Sequence, residues 1–168
     1  MDAEGLSASD VVAVTCTVPP VVTSNLTYSN PQTTTEAQFS LHFAIAAIIE
    51  YGDIKLEHLT TEMVTSAPIK RLLPKIDVKV GDIPEPYRSS RLICPEWGYV
   101  ELTTQAGDRK CSFAGSPLGS ALRPMPNEVL KKKFNACAKY GNVKGSTSAL
   151  YDKILNVELL TNTRELFS

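Results

Sequence analysis

The sequence predicts an α+β fold of about four mostly antiparallel strands, with helices packed on one face around a buried central helix at about residues 35–51. Two observations support it: a stretch that is apolar on almost every side from Phe39 to Ile49, and four short β-rich segments without regular strand–helix alternation. With 168 residues and 43% hydrophobic side chains, the chain is expected to form one domain that buries a core without disulfides or metals.

The central helix is predicted from its ends as well as from its apolar run. Thr35 and Gln38 have the T-x-x-Q spacing of a capping box, and Gly52 follows the last apolar residues as a left-handed stop. A helix that is apolar all round is expected to be buried on most faces. The stretch is too short, and too polar at its start, to span a bilayer.

Four strands are predicted from β-rich or alternating runs bounded by proline, glycine or polar residues. The turn Ala106-Gly107-Asp108 joins the last two strands as a hairpin, and Val21 to Gln32 is expected to be an extended loop. The predicted strands are Val11–Val18, Ile76–Val80, Trp97–Thr104 and Arg109–Ala114.

Further helices are predicted at Leu56–Val64, after Ser66, at Asn127–Tyr140 and after Ser146 or Thr147. In the last two, the apolar spacing places one stripe of side chains inside. These stripes comprise Val129, Leu130, Phe134, Cys137 and Ala138, followed by Leu150, Ile154, Leu155 and Leu159.

Charge and cysteine spacing exclude several function classes. A net charge of -1 from 17 basic and 18 acidic residues is not the footprint of a nucleic-acid-binding protein. No secretory signal or membrane span is evident, so reduced thiols and a cytoplasmic location are expected. The four cysteines lack metal-ligand or C-x-x-C spacing, so no metal site is expected, and three of them lie on predicted core faces: Cys16, Cys111 and Cys137.

Four residues are candidates for a substrate cleft. Gln38, His42 and Phe43 could line a cavity beside the central helix, although a core histidine is an equally simple interpretation of His42. Arg123, in a Gly/Pro loop, could hold a carboxylate with its fork or could simply be solvated. His58 lies in a polar segment and is expected to be exposed. The motifs assign no catalytic residue.

Three passages resemble the C-terminal part of the MmgE/PrpD family, which includes 2-methylcitrate dehydratase, cis-aconitate decarboxylase and iminodisuccinate epimerase. Pro31 to Gly52 is similar to the family's P-x-T-x-x-E-A-x-F-S helix with its small-residue run and glycine. Leu118 to Ala138 is similar to a loop and helix of the type G-x-P-x-x-P-M-s-x-E-x-x-x-K-F-x-x-x-A. Leu155 to Leu166 is similar to the closing leucine-rich segment.

The resemblance implies an α+β lid domain that follows a large, all-helical domain, in typically homodimeric enzymes that need no organic cofactor. The active site would lie between the two domains, with histidines, an aspartate and a lysine supplied by the helical domain. That helical catalytic domain is expected to be absent from these 168 residues, with Asp2-Ala3 as the tail of the segment before the lid. The lid contributes mainly one aromatic position, a tyrosine in decarboxylase-like relatives, which falls on Phe43 here.

The resemblance therefore predicts the lid of a cofactor-independent lyase or isomerase that acts on a small polycarboxylate by dehydration, decarboxylation or isomerisation. Its partner would be a helical MmgE/PrpD domain, on the same longer polypeptide or on a separate chain, in a homo- or heterodimer. Neither nucleic acid nor membrane is an expected partner, and the chain alone is expected to be inactive. The alternatives are a non-catalytic binding or regulatory module that docks on such a partner, and an unrelated α+β small-molecule binder.

Overall fold

Four strands form one mixed sheet in the computed structural model, which describes residues 7–89 and 93–167. The strands are β1 (Val11–Val18), β2 (Ile76–Val80), β3 (Gly98–Thr104) and β4 (Arg109–Ala114), in the order β2-β1-β3-β4. Strands β1 and β2 are parallel, whereas β3 pairs antiparallel with both β1 and β4. The predicted α+β class and mostly antiparallel four-strand sheet are confirmed.

The described residues fall into two compact units, one up to Arg123 and one from Pro124 onward. The first unit holds the sheet and the helices that precede Arg123. The second holds two helices, followed by two 3-10 turns.

The predicted central helix is in fact two helices, α2 (Thr34–Gln38) and α3 (Leu41–Tyr51). The helix is interrupted at Phe39 and Ser40. The buried Ser40 hydroxyl accepts the Phe43 backbone N–H at 3.0 Å and thereby caps the start of a new helix. The cap of α2 is Thr33, which accepts from the Glu36 N–H at 3.2 Å, so the capping box predicted from Thr35 is wrong. Gly52 ends α3 with φ 76°, as predicted.

Helix α3 has one buried side and one partly exposed side. Its buried side packs on one face of the sheet and on α5 (Ala67–Leu72), and the core so formed also includes Val11, Val14, Ile69, Leu72 and Ile76. The buried residues of α3 are Phe43, Ala46, Ala47 and Ile49. On its other side, Leu41, Ala44 and Ile45 are half-buried and Ile48 is 46% exposed. The helix is therefore less enclosed than its apolar sequence predicts.

The segment predicted as an extended loop begins with a short helix, α1 (Pro20–Asn25). Proline at the first helical position needs no N–H partner, and the Thr23 and Ser24 hydroxyls donate to the Pro20 carbonyl. The predicted helix Leu56–Val64 is a 3-10 turn, Leu56–His58, followed by α4 (Thr61–Val64).

The second unit is built from α6 (Asn127–Tyr140) and α7 (Thr147–Leu155). Buried Tyr151 connects them: its hydroxyl donates to Asn127 Oδ1 at 2.6 Å, and its ring lies 5.2 Å from that of Phe134. The prediction that these two apolar stripes are buried is largely wrong, because each helix covers the other on one side only. Several stripe residues are exposed: Val129, Leu130, Cys137, Ile154, Leu155 and Leu159.

The cysteines are all free thiols, and two of them are placed differently from the prediction. Cys16 is buried as expected, but Cys111 and Cys137 are exposed. Cys111 pairs with Glu101, on the face of the sheet opposite to core-packed Val100 and Leu102. Cys137 points away from Ala138, the neighbouring residue that α6 buries, since successive helical side chains differ by about 100°.

This difference in burial predicts selective thiol reactivity. Burial raises the pKa of Cys16 to about 11, so its thiol stays protonated at neutral pH and out of reach of reagents. We expect Cys111 and Cys137 to react with Ellman's reagent in the native protein, and Cys16 only after denaturation. Rapid native labelling that is lost in Cys16→Ala but kept in Cys111→Ala would contradict this assignment.

Candidate functional site

His42 lies in the first turn of α3, beside the strand β2. Its Nδ1 atom is buried and makes no hydrogen bond to any described residue. Burial lowers the pKa of its imidazole, and the Asp77 carboxylate partly offsets this by favouring the cation. His42 is therefore a neutral imidazole at pH 7 without a hydrogen-bonded acid or base beside it in the described parts of the chain.

The other predicted cleft residues are in different environments. Gln38 is exposed at the end of α2, and because the helix breaks after it, the four-residue spacing no longer places it next to His42. Phe43 has no exposed surface and lies wholly in the core. Arg123 is exposed, and its backbone closes a small turn with Ser120. Among the described residues, no hydrogen bond or ion pair joins any two of these four.

His58 is a structural histidine, and the prediction that it is exposed is wrong. It is only 6% exposed, because its ring lies 4.6 Å from that of Tyr51. Its Nδ1 accepts the Lys55 backbone N–H at 3.2 Å and so holds the 3-10 turn in place. The prediction was based on the polar residues around His58, and these give no indication that its ring packs on Tyr51.

A pocket that the sequence interpretation missed lies at one edge of the sheet. It is an open cleft of about 610 Å³ at the point where the carboxyl ends of parallel β1 and β2 meet the start of β3. None of the predicted site residues lines it. Its lining residues are Pro19, Pro20, Gly81, Asp82, Ile83, Arg88 and Trp97. The parallel pairing that creates this edge joins strands far apart in sequence, and no local pattern encodes it.

The side chains of residues 7–89 and 93–166 offer no cluster of three or more His, Cys, Asp or Glu side chains that could hold a metal ion. Over the same ranges, no helix is both long enough and apolar enough to cross a membrane.

Comparison with protein families places this fold in a known class. The model of the MmgE/PrpD C-terminal domain matches residues 1–155, which spans both units. The chain belongs to the MmgE/PrpD family and carries its C-terminal domain. An unrelated α+β binder is thereby excluded. A comparison with curated proteins gave no match.

The lowered pKa of His42 predicts how the free energy of unfolding depends on pH. The unfolded chain binds a proton at His42 more readily than the folded chain does, so this group costs no stability above its unfolded pKa of about 6.5. As the pH falls through that value and below, we expect the free energy of unfolding to decrease. His42→Gln should flatten this part of the profile in urea titrations between pH 7.5 and 5. His58→Gln, at the other histidine, serves as the comparison; an unchanged slope in His42→Gln would contradict the assignment.

Proposed function

We propose that this chain is the lid of an MmgE/PrpD-type lyase or isomerase that acts on a small polycarboxylate. The reaction would be a dehydration, decarboxylation or isomerisation that depends on proton abstraction next to a carboxylate. A helical domain, on the same longer polypeptide or on a second chain, would supply the acid and base. This chain would cover the site.

The observation that carries the proposal is the isolation of His42. A general acid or base acts with a partner that orients it or shares its proton, and Nδ1 of His42 has no such partner among the described residues. The other histidine, His58, is committed to the Lys55 turn and to Tyr51. This is the reason that we expect the helical domain, and not the histidines of this chain, to transfer the proton.

The partly exposed side of α3 supports a covering role. Ile48 at 46% and Phe39 at 49% exposure present apolar surface in the same segment as half-buried Leu41 and Ile45. Apolar side chains exposed in this segment are available to meet a partner or a ligand. A lid that closes with such a surface excludes water, which strengthens the electrostatic interactions inside the site.

The polar groups of the lid would bind substrate rather than transform it. Arg123 is exposed, and its guanidinium can hold a carboxylate by two parallel N–H···O bonds. The Gln38 amide, also exposed, can donate and accept. Neither group can abstract a proton at neutral pH.

The test combines this chain with the helical domain of an MmgE/PrpD enzyme. We expect no turnover of 2-methylcitrate or cis-aconitate by the chain alone, and turnover when the two are mixed. Ile48→Asp should abolish the gain, since it places a charge on the docking side of α3. Val80→Asp, at a residue that is 54% exposed on β2, is the matched control and should leave the gain intact. Turnover by these 168 residues alone would refute the proposal.

The second candidate function is a regulatory module that docks on an intact relative without contributing to catalysis. The observation that favours it is Phe43, fully buried and without a hydroxyl at the position where the resemblance expects a substrate-gripping tyrosine. Binding of the helical domain without any gain in turnover, measured in the same mixtures, would select this candidate.

A further inference from the structure

The pocket at the carboxyl ends of β1 and β2 lies where the connections that follow the two strands run in different directions. After β1 the chain turns into α1 at Pro19-Pro20, and after β2 it crosses at Gly81-Asp82 toward β3, on the other side of β1. Diverging connections of this kind leave a crevice beyond the strand ends, and small ligands bind in such crevices. The cleft is open to solvent, and its volume of about 610 Å³ is in the range of small-molecule sites.

Arg88 is held in this pocket with its terminal nitrogens available. Its Nε donates to the Ile83 carbonyl at 2.9 Å and lies 3.3 Å from Glu85 Oε1. The contacts found within the described chain use Nε alone, so Nη1 and Nη2 can both donate to a carboxylate from outside. The turn that carries Arg88 is anchored, because the neighbouring Tyr87 ring stacks on Phe113 at 4.6 Å and 16°.

The charges around the pocket select against a dianion. Asp82 lines the same pocket and forms no ion pair with a described residue, while Glu85 lies beside the guanidinium. One cation and two carboxylates leave a net negative charge. A ligand that brings a single carboxylate to Arg88 is therefore favoured when it also brings a cation to Asp82.

The remaining walls are apolar. Pro19, Pro20 and Ile83 present aliphatic surface, and Trp97 contributes an indole that is otherwise buried. These walls fit a short hydrocarbon side chain. We infer that the pocket binds a free aliphatic α-amino acid, with its carboxylate on Arg88, its ammonium on Asp82 and its side chain against the prolines and Ile83.

The pocket carries its own reporter, because Trp97 is the single tryptophan of the chain. Titration of the full chain with L-leucine should change tryptophan emission saturably. Pentanoate, which lacks the ammonium, and isoamylamine, which lacks the carboxylate, should each bind about tenfold or more weakly, since each leaves one charged group of the site without its partner. Succinate should bind weakest of all.

Two variants and one control complete the test. Arg88→Gln and Asp82→Asn should each weaken leucine binding by about tenfold or more while keeping the emission of the unliganded protein. Arg109→Gln, at an arginine that pairs with Glu101 at 2.7 Å outside the pocket, should bind leucine like the parent chain. No saturable response to leucine, equal affinity for pentanoate or isoamylamine, or unchanged binding in Arg88→Gln would overturn the inference. The experiment needs no helical partner, so its outcome is independent of the lid proposal.

Discussion

Replacing Phe43 by alanine is expected to lower the free energy of unfolding by about 3–5 kcal/mol, the usual cost of deleting a fully buried aromatic ring. Phe43 has no exposed surface and packs in the core formed by α3, α5 and the sheet. The loss combines the transfer free energy of the ring with the cavity that it leaves. Urea denaturation followed by circular dichroism measures this loss of stability. If Phe43→Ala does not fold, Phe43→Leu is expected to show a smaller loss that can still be measured.

Phe39 provides the matched control, since it is the same residue type four positions earlier but 49% exposed. Phe39→Ala is expected to cost about 1 kcal/mol or less, because substitutions at the surface usually stay near ±0.5 kcal/mol and part of this ring is covered. Equal losses at the two positions would contradict the helix break, which turns Phe39 outward and Phe43 inward.

The second large effect is expected at Gly81, where the chain leaves β2. A Cβ atom at this position would lie 2.6 Å from Cγ2 of Thr17, a residue that is only 8% exposed. Threonine is stiff at χ1, so the neighbour cannot simply rotate away. Gly81→Ala is therefore expected to cost about 1–3 kcal/mol through overpacking.

A double-mutant cycle identifies the cause. Thr17→Ser removes Cγ2 but keeps the hydroxyl, and in that background Gly81→Ala should cost much less. Gly98→Ala is the control, since its Cβ would lie at an ordinary 3.9 Å from Val18 Cγ1 and should change stability little. Additive losses in the cycle would show that the clash is not the source of the effect.

The strands could be predicted from the sequence because their signals are local. Three of the four have the predicted ends, and β3 starts one residue later than predicted. Alternation, β-branched residues and the Gly107 turn act within a few residues of the strand they define. The class of the fold followed from these segments together with the apolar run of α3.

The errors in the helices have two causes, a local hydrogen bond and the lack of a covering element. The break before α3 depends on the buried Ser40 hydroxyl, which periodicity treats as one polar residue inside a helix. The apolar spacing of α6 correctly indicated which residues share a side, but it cannot indicate whether another element covers that side. Leu130 and Cys137 are exposed for this reason.

The candidate site was less predictable than the fold. The predicted central helix directed attention to Gln38, His42 and Phe43, of which the structure exposes the first, half-buries the second and fully buries the third. The pocket at Arg88 and Trp97 depends on a parallel pairing between Val14 and Ile76, whose partners no local pattern could have joined. The helix break at Ser40 separated the predicted cleft residues, whereas the pocket was missed because it depends on a long-range pairing.

The position of β1 in the sheet has a consequence for synthesis on the ribosome. Val14 pairs with Ile76 on one side and with Leu102 on the other, and both partners are translated much later than β1. During that interval β1 has two open edges, and such edges can pair with another chain. The helices translated between β1 and β2 can shield only one face of the nascent strand. Productive folding should therefore be sensitive to elongation speed and to chaperones that bind extended segments.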